Sequence, residues 1–588
     1  MPDYGEHEST GDPLEILRHS SAHLLAAAVV ELYPDVRYGI GPAVEDGFYY
    51  DFDFGGGSIS ESELPGIESR MRRLAQADVP FVHELLPRAE AIEAFSQRGQ
   101  DYKLELIADK VEGDEVSVYW TGEFLDLCRG PHVHSTKDLK AFKLLRVAGA
   151  YWRGDEKKPQ LTRIYGTAWQ TQRELDDYLK FLEEAEKRDH KKLGKDLKLF
   201  AVDDRVGPGL PLWLPDGATI RRELERFIVD EELSRGYLHV RTPDVARLEL
   251  FRQSGHAQLY KEYMYPPMVF EDGEELELRP VNCPHHIVVY QTELRSYRDL
   301  PLRIAEIGNN WRYERSGTLA GLNRVRSFAL NDAHIFCTPG QLMDEVRGAI
   351  DLALYFSKVL GIDAFRYEVA TRDDVKEKWL GTEEQWQEAQ ASLQEALESM
   401  GQTYTVKEGD AAFYGPKIDF QVRDAHRREY TNSTVQVDFQ LPQRFDLEYV
   451  AEDGKRQRPV MVHRGAAGAM ERLFSYLIER YAGAFPTWLH PTQVVVAPVK
   501  DEFNQYARSV GDRLRASRVR VNVDQRSERL DRKIRDAKLK KVPYIAVVGE
   551  KEAGVGHVNV QNRASEKVDM PLDSFVAMIT AEITERRR

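Results

Sequence analysis

The chain has 588 residues, of which 42% are hydrophobic and 30% charged, and its formal net charge at pH 7 is −16. This length exceeds a single hydrophobic core and predicts roughly three to five domains, while the acidic balance argues against generalised binding of polyanions. The N-terminus lacks the basic start and apolar run of a signal peptide, and no apolar run reaches the ~18 residues of a membrane span. Three cysteines are too few for a disulfide framework, so we expect a cytoplasmic protein without a membrane span.

The first predicted domain, residues 14 to 165, mixes helices and strands and follows a polar tail, residues 1 to 13. Apolar spacing typical of a helix extends over residues 14 to 33 and places His19 and His23, at i and i+4, on one face. Strands and turns are predicted for residues 38 to 54, a helix for 61 to 76, a strand for 116 to 120 and a loop for 126 to 134. These elements indicate an α+β domain.

Three further segments follow in chain order. Residues 166 to 195 carry a sparse apolar stripe among dense charge, which predicts a solvated linker helix. Residues 196 to 485 form a second predicted domain, with a helix over 219 to 233, a strand over 460 to 463 and a helix over 467 to 481. From 486 to 588, short apolar strands at 494 to 497, 519 to 523 and 544 to 548 alternate with helical segments, which is typical of a small α/β domain.

The first domain holds a cluster of metal-binding residue types. His19, His23, Cys128 and His132 offer three imidazoles and a thiol, although a structural role for the histidines and a buried free cysteine would fit the sequence equally well. A metalloprotease is disfavoured, because the stretch from His19 to His23 lacks the glutamate that activates water in an HExxH site. A hydrolase that uses the histidines as base and to position water stays open.

A second concentration of reactive side chains lies in the central domain. Cys283 and His334, together with the distant His463, could bind zinc through three ligands and leave a fourth position for a substrate, although a lone cysteine or histidine is more often structural. Cys337 is expected to pack inside the domain.

Charged residues in the same domain suggest an anion site. Arg312 and Glu314 flank one residue in a predicted strand and would point to the same face, where the Arg can bind a phosphate and the carboxylate can accept from an amine. The small residues Gly468 and Ala469 begin a predicted helix, and Arg472 follows on it. Each of these features also has a purely structural interpretation.

These features occur together, in this order, in the threonyl-tRNA synthetases, a family of class II aminoacyl-tRNA synthetases, which the chain resembles from about residue 14 to its C-terminus. The matching stretches are RHSSAHLLAAAV, CRGPHV, AGAYWRGD, RIYGTAW, NCPHH, SYRDLPLRIAE, NDAHIF, YGPKIDF, TVQVDF, VHRGAAGAMER and FPTWLHP. We expect the chain to lack the ubiquitin-like domain with which many members of the family begin.

The resemblance implies an α+β multidomain fold: a class II catalytic core on an antiparallel sheet, an α+β editing domain, a linker helix and an α/β anticodon-binding domain. It implies a threonine–tRNA ligase, which activates threonine with ATP, taken as its Mg²⁺ complex, to threonyl-adenylate and transfers it to the 3′ end of threonine tRNA. The segment from Thr219 to Pro243 is similar to the class II motif that builds the dimer interface. A homodimer is therefore expected.

By the same resemblance, Cys283, His334 and His463 are expected to bind one Zn²⁺ per subunit, which engages the amino group and the hydroxyl of threonine. Asp332 would accept a hydrogen bond from that hydroxyl, and Gln436 would line the amino-acid pocket. Valine lacks the hydroxyl and would leave these groups unsatisfied. Serine lacks only a methyl group, a difference worth ~1–3 kcal/mol, so serine should be activated as well.

The resemblance also assigns roles to the remaining candidates. His19, His23, Cys128 and His132 would line a site that hydrolyses seryl-tRNA, with Asp126 and Lys103 as helpers, and whether this site holds a metal stays open. For activation, Arg312 would bind the α-phosphate of ATP and the amino-acid carboxylate, while Glu314 would accept from the adenine amine. The other implied residues are Arg324 and Arg472 for the terminal phosphates, Phe328 for stacking on adenine, Lys417 for the pyrophosphate and His256 for transfer near the terminal ribose of the tRNA.

Two rival functions are weighed against a housekeeping ligase. One is a specialised paralogue of the same fold, either an inhibitor-resistant duplicate or a regulatory tRNA-binding protein. The other is a metal hydrolase unrelated to tRNA, which would need a glutamate base beside the zinc and no ATP site.

Overall fold

A computed structural model describes residues 11–155, 157–362, 364–375 and 378–588. Most of the predicted tail, residues 1 to 10, lies outside the described residues. The chain divides into two compact units, of which the first ends at Glu183 and the second runs from Glu184 to Arg588. In the described ranges, no helix combines the length and the apolar character needed to cross a bilayer.

The first unit is an α+β structure. Its elements are α1 Pro13–Leu32, β1 Arg37–Tyr38, β2 Ala43–Val44, β3 Gly47–Asp53, α2 Leu64–Gln76, β4 Phe81–Pro87, α3 Arg88–Gln97, α4 Asp101–Lys110, β5 Glu115–Thr121, β6 Phe124–Leu127, β7 Ala141–Tyr151 and β8 Gln160–Trp169. Helix α5, Gln172–Arg188, contains the boundary between the units. One sheet has the strand order β1-β3-β8-β7 with β2 beside β3, and a second sheet has the order β4-β5-β6.

Helix α1 is central to the core of the first unit. The Asp12 carboxylate caps it by accepting from the backbone N–H of Leu14 at 3.1 Å, and Pro13 occupies the first turn. Leu24 and Leu25 are fully buried in the core that includes Phe48. The helix predicted over residues 14 to 33 is confirmed.

The first domain of the second unit contains helices and strands from His190 to Arg480. Its elements are α6 His190–Asp196, β9 Phe200–Ala201, β10 Leu212–Trp213, α7 Pro215–Ser234, β11 Leu238–His239, β12 Val245–Arg247, α8 Leu248–Ser254, α9 His256–Leu259, β13 Met268–Val269, β14 Glu275–Leu278, α10 Cys283–Tyr290, β15 Arg295–Ser296, β16 Leu302–Trp311, β17 Ser327–Cys337, α11 Leu342–Leu360, β18 Arg366–Thr371, α12 Glu383–Ser399, β19 Tyr404–Glu408, β20 Lys417–Arg423, β21 Glu429–Asp438, α13 Gln440–Arg444, β22 Tyr449–Val450, β23 Arg456–Gln457, β24 Val460–Ala469 and α14 Met470–Arg480.

A large sheet forms the centre of this domain. Its described strands follow the order β11-β16-β17-β24-β21-β20-β18-β19, and the six from β16 to β18 pair antiparallel. Helices α7, α11, α12 and α14 contribute buried apolar residues to the core against this sheet, among them Leu224, Val346, Leu393 and Phe474. The antiparallel sheet flanked by helices agrees with the predicted class II core.

The last part of the second unit is a mixed α/β domain. Its elements are β25 Val494–Pro498, α15 Asn504–Ala516, β26 Val521–Val523, α16 Leu530–Leu539, β27 Tyr544–Val548, α17 Glu550–Val555, β28 His557–Asn562, β29 Lys567–Pro571 and α18 Leu572–Thr584. Strands β26, β25 and β27 are parallel, and β28 and β29 extend the sheet antiparallel. The sequence predicted the apolar strands β25, β26 and β27. It did not predict β28 and β29, because these two strands contain too few apolar residues to be recognised by their hydrophobic pattern.

Five local predictions are wrong. The predicted loop from Asp126 starts later, because Asp126 and Leu127 pair in β6 with β5. The predicted single linker helix is two helices, because the Asp189 carboxylate accepts from the N–H groups of Lys191 and Lys192 and starts α6 anew. The boundary set at residue 165 falls within β8.

The other two corrections concern the anion site. Arg312 and Glu314 do not lie in a strand, since β16 ends at Trp311 and the backbone N–H of Glu314 donates to the carbonyl of Arg312 at 2.8 Å. Gly468 and Ala469 belong to β24, and α14 begins only at Met470. Gly468 has φ +68°, and a Cβ there would overlap the carbonyl of Asn432, so glycine is required at this close approach.

Candidate functional site

One row of side chains crosses the central sheet of the second unit. His334 in β17 lies opposite His463 in β24, His463 lies opposite Gln436 in β21, and Gln436 lies opposite Lys417 in β20. Residues directly opposite each other in a sheet project from the same face. The sheet therefore brings together four candidates that are far apart in sequence.

Cys283 completes a cluster with two of these residues. It is the first residue of α10 and is 3% exposed, and its Sγ lies with ring nitrogens of His334 and His463 in a group whose atoms are all within 4.8 Å of one another. One thiol and two imidazoles are ligands that zinc prefers, and three protein ligands leave one position of a tetrahedron open. The residues present therefore fit a Zn²⁺ ion.

Neighbouring side chains orient the two histidines of the cluster. Nδ1 of His334 lies 2.8 Å from Nδ1 of His286, and Nε2 of His463 lies 2.8 Å from Oδ2 of Asp438. Each ring thus uses one nitrogen for a hydrogen bond within the protein and keeps the other for a ligand. Metal-binding histidines usually have this arrangement, because the second hydrogen bond fixes the ring and its tautomer.

Burial controls the charge of this cluster. It raises the pKa of the Cys283 thiol well above its usual range, with the carboxylates of Asp332 and Asp438 adding to the effect. It lowers the pKa of His334 well below its usual range and raises that of Asp332. A divalent cation would offset the raised pKa values of Cys283 and Asp332 and would keep His334 neutral, since metal ligands bind as thiolate and neutral imidazole.

Next to this cluster lies a cavity of about 250 Å³. Alternate residues of β17 line it, as expected for one face of a strand. The candidates that line it are Cys283, Arg312, Glu314, Arg324, Phe328, Asp332, His334, Gln436, His463 and Arg472. Amino-acid and nucleotide candidates therefore share one cavity.

The cavity's charged groups are paired within the protein. Arg324 donates from Nε to Oε2 of Glu314 at 2.8 Å. Arg472 donates to the carbonyl oxygens of Asn323 at 3.2 Å and Thr431 at 2.9 Å, and burial, followed by the charge of Arg312, lowers its pKa. A concentration of cations in a buried cavity favours an anionic ligand.

Arg312 and Phe328 stack on each other. The Arg312 guanidinium carbon is 4.9 Å from the centre of the Phe328 ring, and its Nε donates to the carbonyl of Pro280 at 3.3 Å. Such stacking holds the guanidinium plane in a defined orientation.

Three candidates occupy distinct positions around the cavity. Gln436 accepts from the Tyr414 hydroxyl at 2.7 Å. His256 is 2% exposed, with Nε2 3.9 Å from the Cys283 Sγ, and burial lowers its pKa to about 3. Lys417 is outside the described lining of the cavity and donates to Oδ2 of Asp419 at 2.6 Å.

The first unit contains a separate cluster. The Cys128 Sγ lies 3.4 Å from Nε2 of His19 and 3.3 Å from Nε2 of His132, and a ligand atom of His23 is within 4.8 Å of the others. His132 also contacts the Ser20 hydroxyl through Nδ1 at 3.1 Å. All four predicted members thus come together at α1 and the segment after β6.

A buried carboxylate organises one side of this cluster. Oδ2 of Asp126 lies 3.3 Å from Nε2 of His23 and accepts from the Tyr50 hydroxyl at 2.6 Å. Lys103 forms a close ion pair with the same carboxylate and donates to the Tyr50 hydroxyl at 3.2 Å. Asp126 and Lys103 therefore lie directly beside the cluster.

Burial keeps the reactive groups of the cluster uncharged. It lowers the pKa of His19 and lowers those of His23 and His132 well below their usual range, and it raises the pKa of Cys128 to about 12. Neutral imidazoles can accept a proton from water, whereas a protonated thiol is a poor nucleophile. The cluster is therefore poorly suited to covalent catalysis by the thiol.

Several residues around the sites were not singled out from the sequence. His286 had a signal, because it lies three residues after Cys283 and so shares its side of helix α10. Asp438 also had one, because it follows Gln436 by two residues in β21. Tyr50 and Tyr414 had none, since only the tertiary fold brings them to the clusters.

Comparison with known families matches three parts of the chain. The family described as "tRNA synthetase class II core domain (G, H, P, S and T)" matches residues 268–481, the "Anticodon binding domain" family matches residues 493–582, and the "Threonyl and Alanyl tRNA synthetase second additional domain" family matches residues 116–165.

Similar proteins cover nearly the whole chain. Threonine–tRNA ligase of Geobacillus sp. (strain WCH70) is 50% identical over 575 residues, which are 97% of this chain and 89% of that protein. Threonine–tRNA ligase of Anoxybacillus flavithermus (strain DSM 21510 / WK1) is 51% identical over 575 residues, again 97% and 89% of the two chains. Among solved structures, the RNA binding domain of threonyl-tRNA synthetase from Cryptosporidium parvum Iowa II has a TM-score of 0.64 and 38% identity, covering 67% of this chain and 98% of its own.

Proposed function

The chain belongs to the threonine–tRNA ligases of class II, enzymes that charge tRNA with threonine, and we propose how its residues divide activation, selection and editing. The observation that supports this proposal most strongly is the row from His334 to Gln436, which places two of the three predicted zinc ligands, with Cys283 beside them, in the cavity that Arg312 and Arg472 line. We propose that threonine and ATP bind side by side in this cavity.

Selection of threonine is proposed to depend on the cluster of Cys283, His334 and His463. A Zn²⁺ ion held there would supply a Lewis acid to which the amino group and hydroxyl of threonine can bind. Asp332, which Asn282 holds through a hydrogen bond of 3.1 Å, accepts from the hydroxyl. Valine offers no hydroxyl and would leave Asp332 buried without that partner.

Activation is proposed to use the cationic side of the cavity. Arg312 binds the α-phosphate and the carboxylate of threonine, Glu314 accepts from the adenine amine, and Arg324 and Arg472 bind the terminal phosphates. The Arg324–Glu314 ion pair must open before both groups can take these partners. Fixed positive charge around the α-phosphate stabilises the charge that develops as threonyl-adenylate forms and pyrophosphate leaves.

We further assign Phe328 to contact with adenine, Lys417 to the pyrophosphate region and His256 to transfer at the terminal ribose of the tRNA. For Lys417 this requires exchange of its partner Asp419 for the leaving group. For His256, burial beside Cys283 supports a place near the amino acid.

Editing is proposed for the cluster of the first unit. One of the neutral rings of His19, His23 and His132 would accept a proton from the water that attacks the ester carbonyl of seryl-tRNA, while Asp126, held by Lys103, orients His23. The ring would return this proton to the ribose oxygen as the ester bond breaks, so that serine and uncharged tRNA leave. The protonated Cys128 would line the pocket. Whether these four residues also bind a metal ion stays open.

The wider setting is also proposed. Threonine tRNA, threonine and ATP with Mg²⁺ are the expected partners, and we propose a cytoplasmic homodimer. No described feature favours the specialised paralogue.

Parallel charging of threonine tRNA with threonine, serine and valine tests the whole proposal. Threonine should give stable product, valine almost no adenylate, and serine adenylate with little surviving seryl-tRNA. Absence of threonine-dependent exchange between pyrophosphate and ATP would exclude the ligase. Equal activation of valine and threonine would exclude selection through the zinc cluster.

A further inference from the structure

A buried histidine outside the cavity connects three elements of the second unit. His190, the first residue of α6, is 1% exposed. Its Nδ1 lies 2.6 Å from Oε1 of Glu479 on α14, and its Nε2 accepts from the backbone N–H of Leu322 at 3.1 Å. The second carboxylate oxygen of Glu479 accepts from the N–H of Ala425 at 2.8 Å, so the histidine and the glutamate are both fully engaged.

These partners determine the tautomer of the ring. An amide N–H can only donate, so Nε2 must be unprotonated and the ring must carry its proton on Nδ1, where it donates to Glu479. The Phe200 ring stacks against the imidazole with centroids 6.4 Å apart. His190 therefore presents one fixed acceptor to Leu322.

The Leu322 amide lies at the tip of a tight turn. Asn323 N–H donates to the carbonyl of Ala320 at 2.9 Å, and Ala320 N–H donates to the carbonyl of Arg324 at 3.2 Å. Gly321 has φ +55°, and a Cβ at this position would overlap Nε2 of His190. The turn is thus shaped to receive the imidazole.

This turn carries the groups that face the cavity. Asn323 and Arg324 line it, and the carbonyl of Asn323 accepts from the Arg472 guanidinium at 3.2 Å. The Ser475 hydroxyl contacts the Asn323 side chain. Fixing Leu322 consequently fixes both proposed phosphate-binding arginines, one through the chain and one through the Asn323 carbonyl.

We propose that His190 is a positioning residue for the triphosphate of ATP, acting through the hydrogen bond to Leu322. The inference rests on the proposed function of Arg324 and Arg472. It predicts a defect in ATP binding with little change in threonine binding, because the zinc cluster lies on β17, β24 and α10, outside this turn.

Two substitutions of His190 distinguish the effect of its hydrogen bond with Leu322 from the effect of its packing. In His190→Gln the side-chain oxygen can occupy the place of Nε2 and accept from the N–H of Leu322. In His190→Asn the amide nitrogen takes the place of Nδ1, so it can donate to Glu479, but no acceptor is left for Leu322. In threonine-dependent pyrophosphate exchange, His190→Asn should raise the KM for ATP by roughly tenfold, leave the KM for threonine within about twofold, and increase deuterium exchange in residues 316 to 326. His190→Gln should restore both ATP binding and protection.

A matched glycine pair covers the case in which His190→Asn does not fold. Gly321→Ala and Gly401→Ala both place alanine at positive φ, but a Cβ at Gly401 meets nothing within 4 Å. Only Gly321→Ala should raise the KM for ATP. The inference is overturned if the folded His190→Asn or Gly321→Ala protein binds ATP as the parent does, or if His190→Gln and His190→Asn are equally impaired. Lack of exchange by the parent protein would instead overturn the proposed function.

Discussion

Cys283 and Cys337 are both buried thiols, but only Cys283 lies in a group with two imidazole nitrogens. Cys283→Ser replaces the thiolate ligand with a hydroxyl that zinc binds poorly. We expect the zinc content of the purified protein, measured by atomic emission, to fall at least tenfold and threonine-dependent pyrophosphate exchange to fall with it. Cys337→Ser is the control and should keep its zinc, and full zinc retention by Cys283→Ser would refute the ligand assignment.

Glu277 is a carboxyl group whose burial costs stability. It is 1% exposed, Oε1 has no hydrogen-bond partner among the described residues, and burial raises its pKa from 4.5 to about 7. The folded state holds this proton to higher pH than the unfolded state does, so the free energy of unfolding falls as the pH rises from 4.5 through 7. At pH 4 the penalty is nearly absent, and well above pH 7 it is complete.

Glu277→Gln removes this penalty. Relative to the parent, its free energy of unfolding in urea should be higher by about 1–3 kcal/mol at pH 8 and nearly unchanged at pH 4. Glu271→Gln, at an exposed position in the same segment, should change neither value. Equal effects of Glu277→Gln at the two pH values would contradict the argument.

At the level of elements, the proposed editing cluster depends on how α1 meets the segment after β6. His19 and His23 share a helix face, so their pairing follows from spacing, and the 5.2 Å between their ring centres agrees with it. Cys128 and His132 reach them only through the fold. A change in α1 should therefore affect this cluster and leave the central sheet intact.

His23→Ala tests this separation of functions. Charging with threonine should stay within about twofold of the parent, while hydrolysis of added seryl-tRNA should fall by at least 100-fold, because a well-placed general base contributes 10²–10⁴-fold. His83→Ala, which removes an exposed histidine of β4, should leave hydrolysis unchanged. Undiminished hydrolysis by His23→Ala would remove His23 from the editing site.

The outcome for single elements shows what periodicity can and cannot provide. Helix α1 was predictable because its apolar spacing is local, whereas the start of α14 was missed because Gly468 and Ala469 look like a helix start and instead finish a buried strand. Arg312 and Glu314 were expected in a strand, but they share the cavity from a turn after β16. The row of His334, His463 and Gln436 depends on strand register across long sequence separations, which no local pattern contains.

For the whole molecule, the open question is association. Leu238 lies in β11, at an edge of the described central sheet, and is 55% exposed, while Leu233 near the end of α7 is 51% exposed. An open strand edge with exposed apolar side chains favours pairing with another chain. These residues fall in the segment that the sequence assigns to a dimer interface.

We therefore expect the parent protein to have a mass of two times 67.5 kDa in solution, measured by light scattering after gel filtration. The double substitution Leu233→Glu and Leu238→Glu places charges where apolar surface would be buried, so its mass should fall to that of one chain at micromolar concentration. Val555→Glu, at a residue 62% exposed in α17, should stay dimeric. A parent that is already monomeric, or a double variant that stays dimeric, would exclude this edge as the interface, because a single desolvated carboxylate costs more than an exposed leucine contributes.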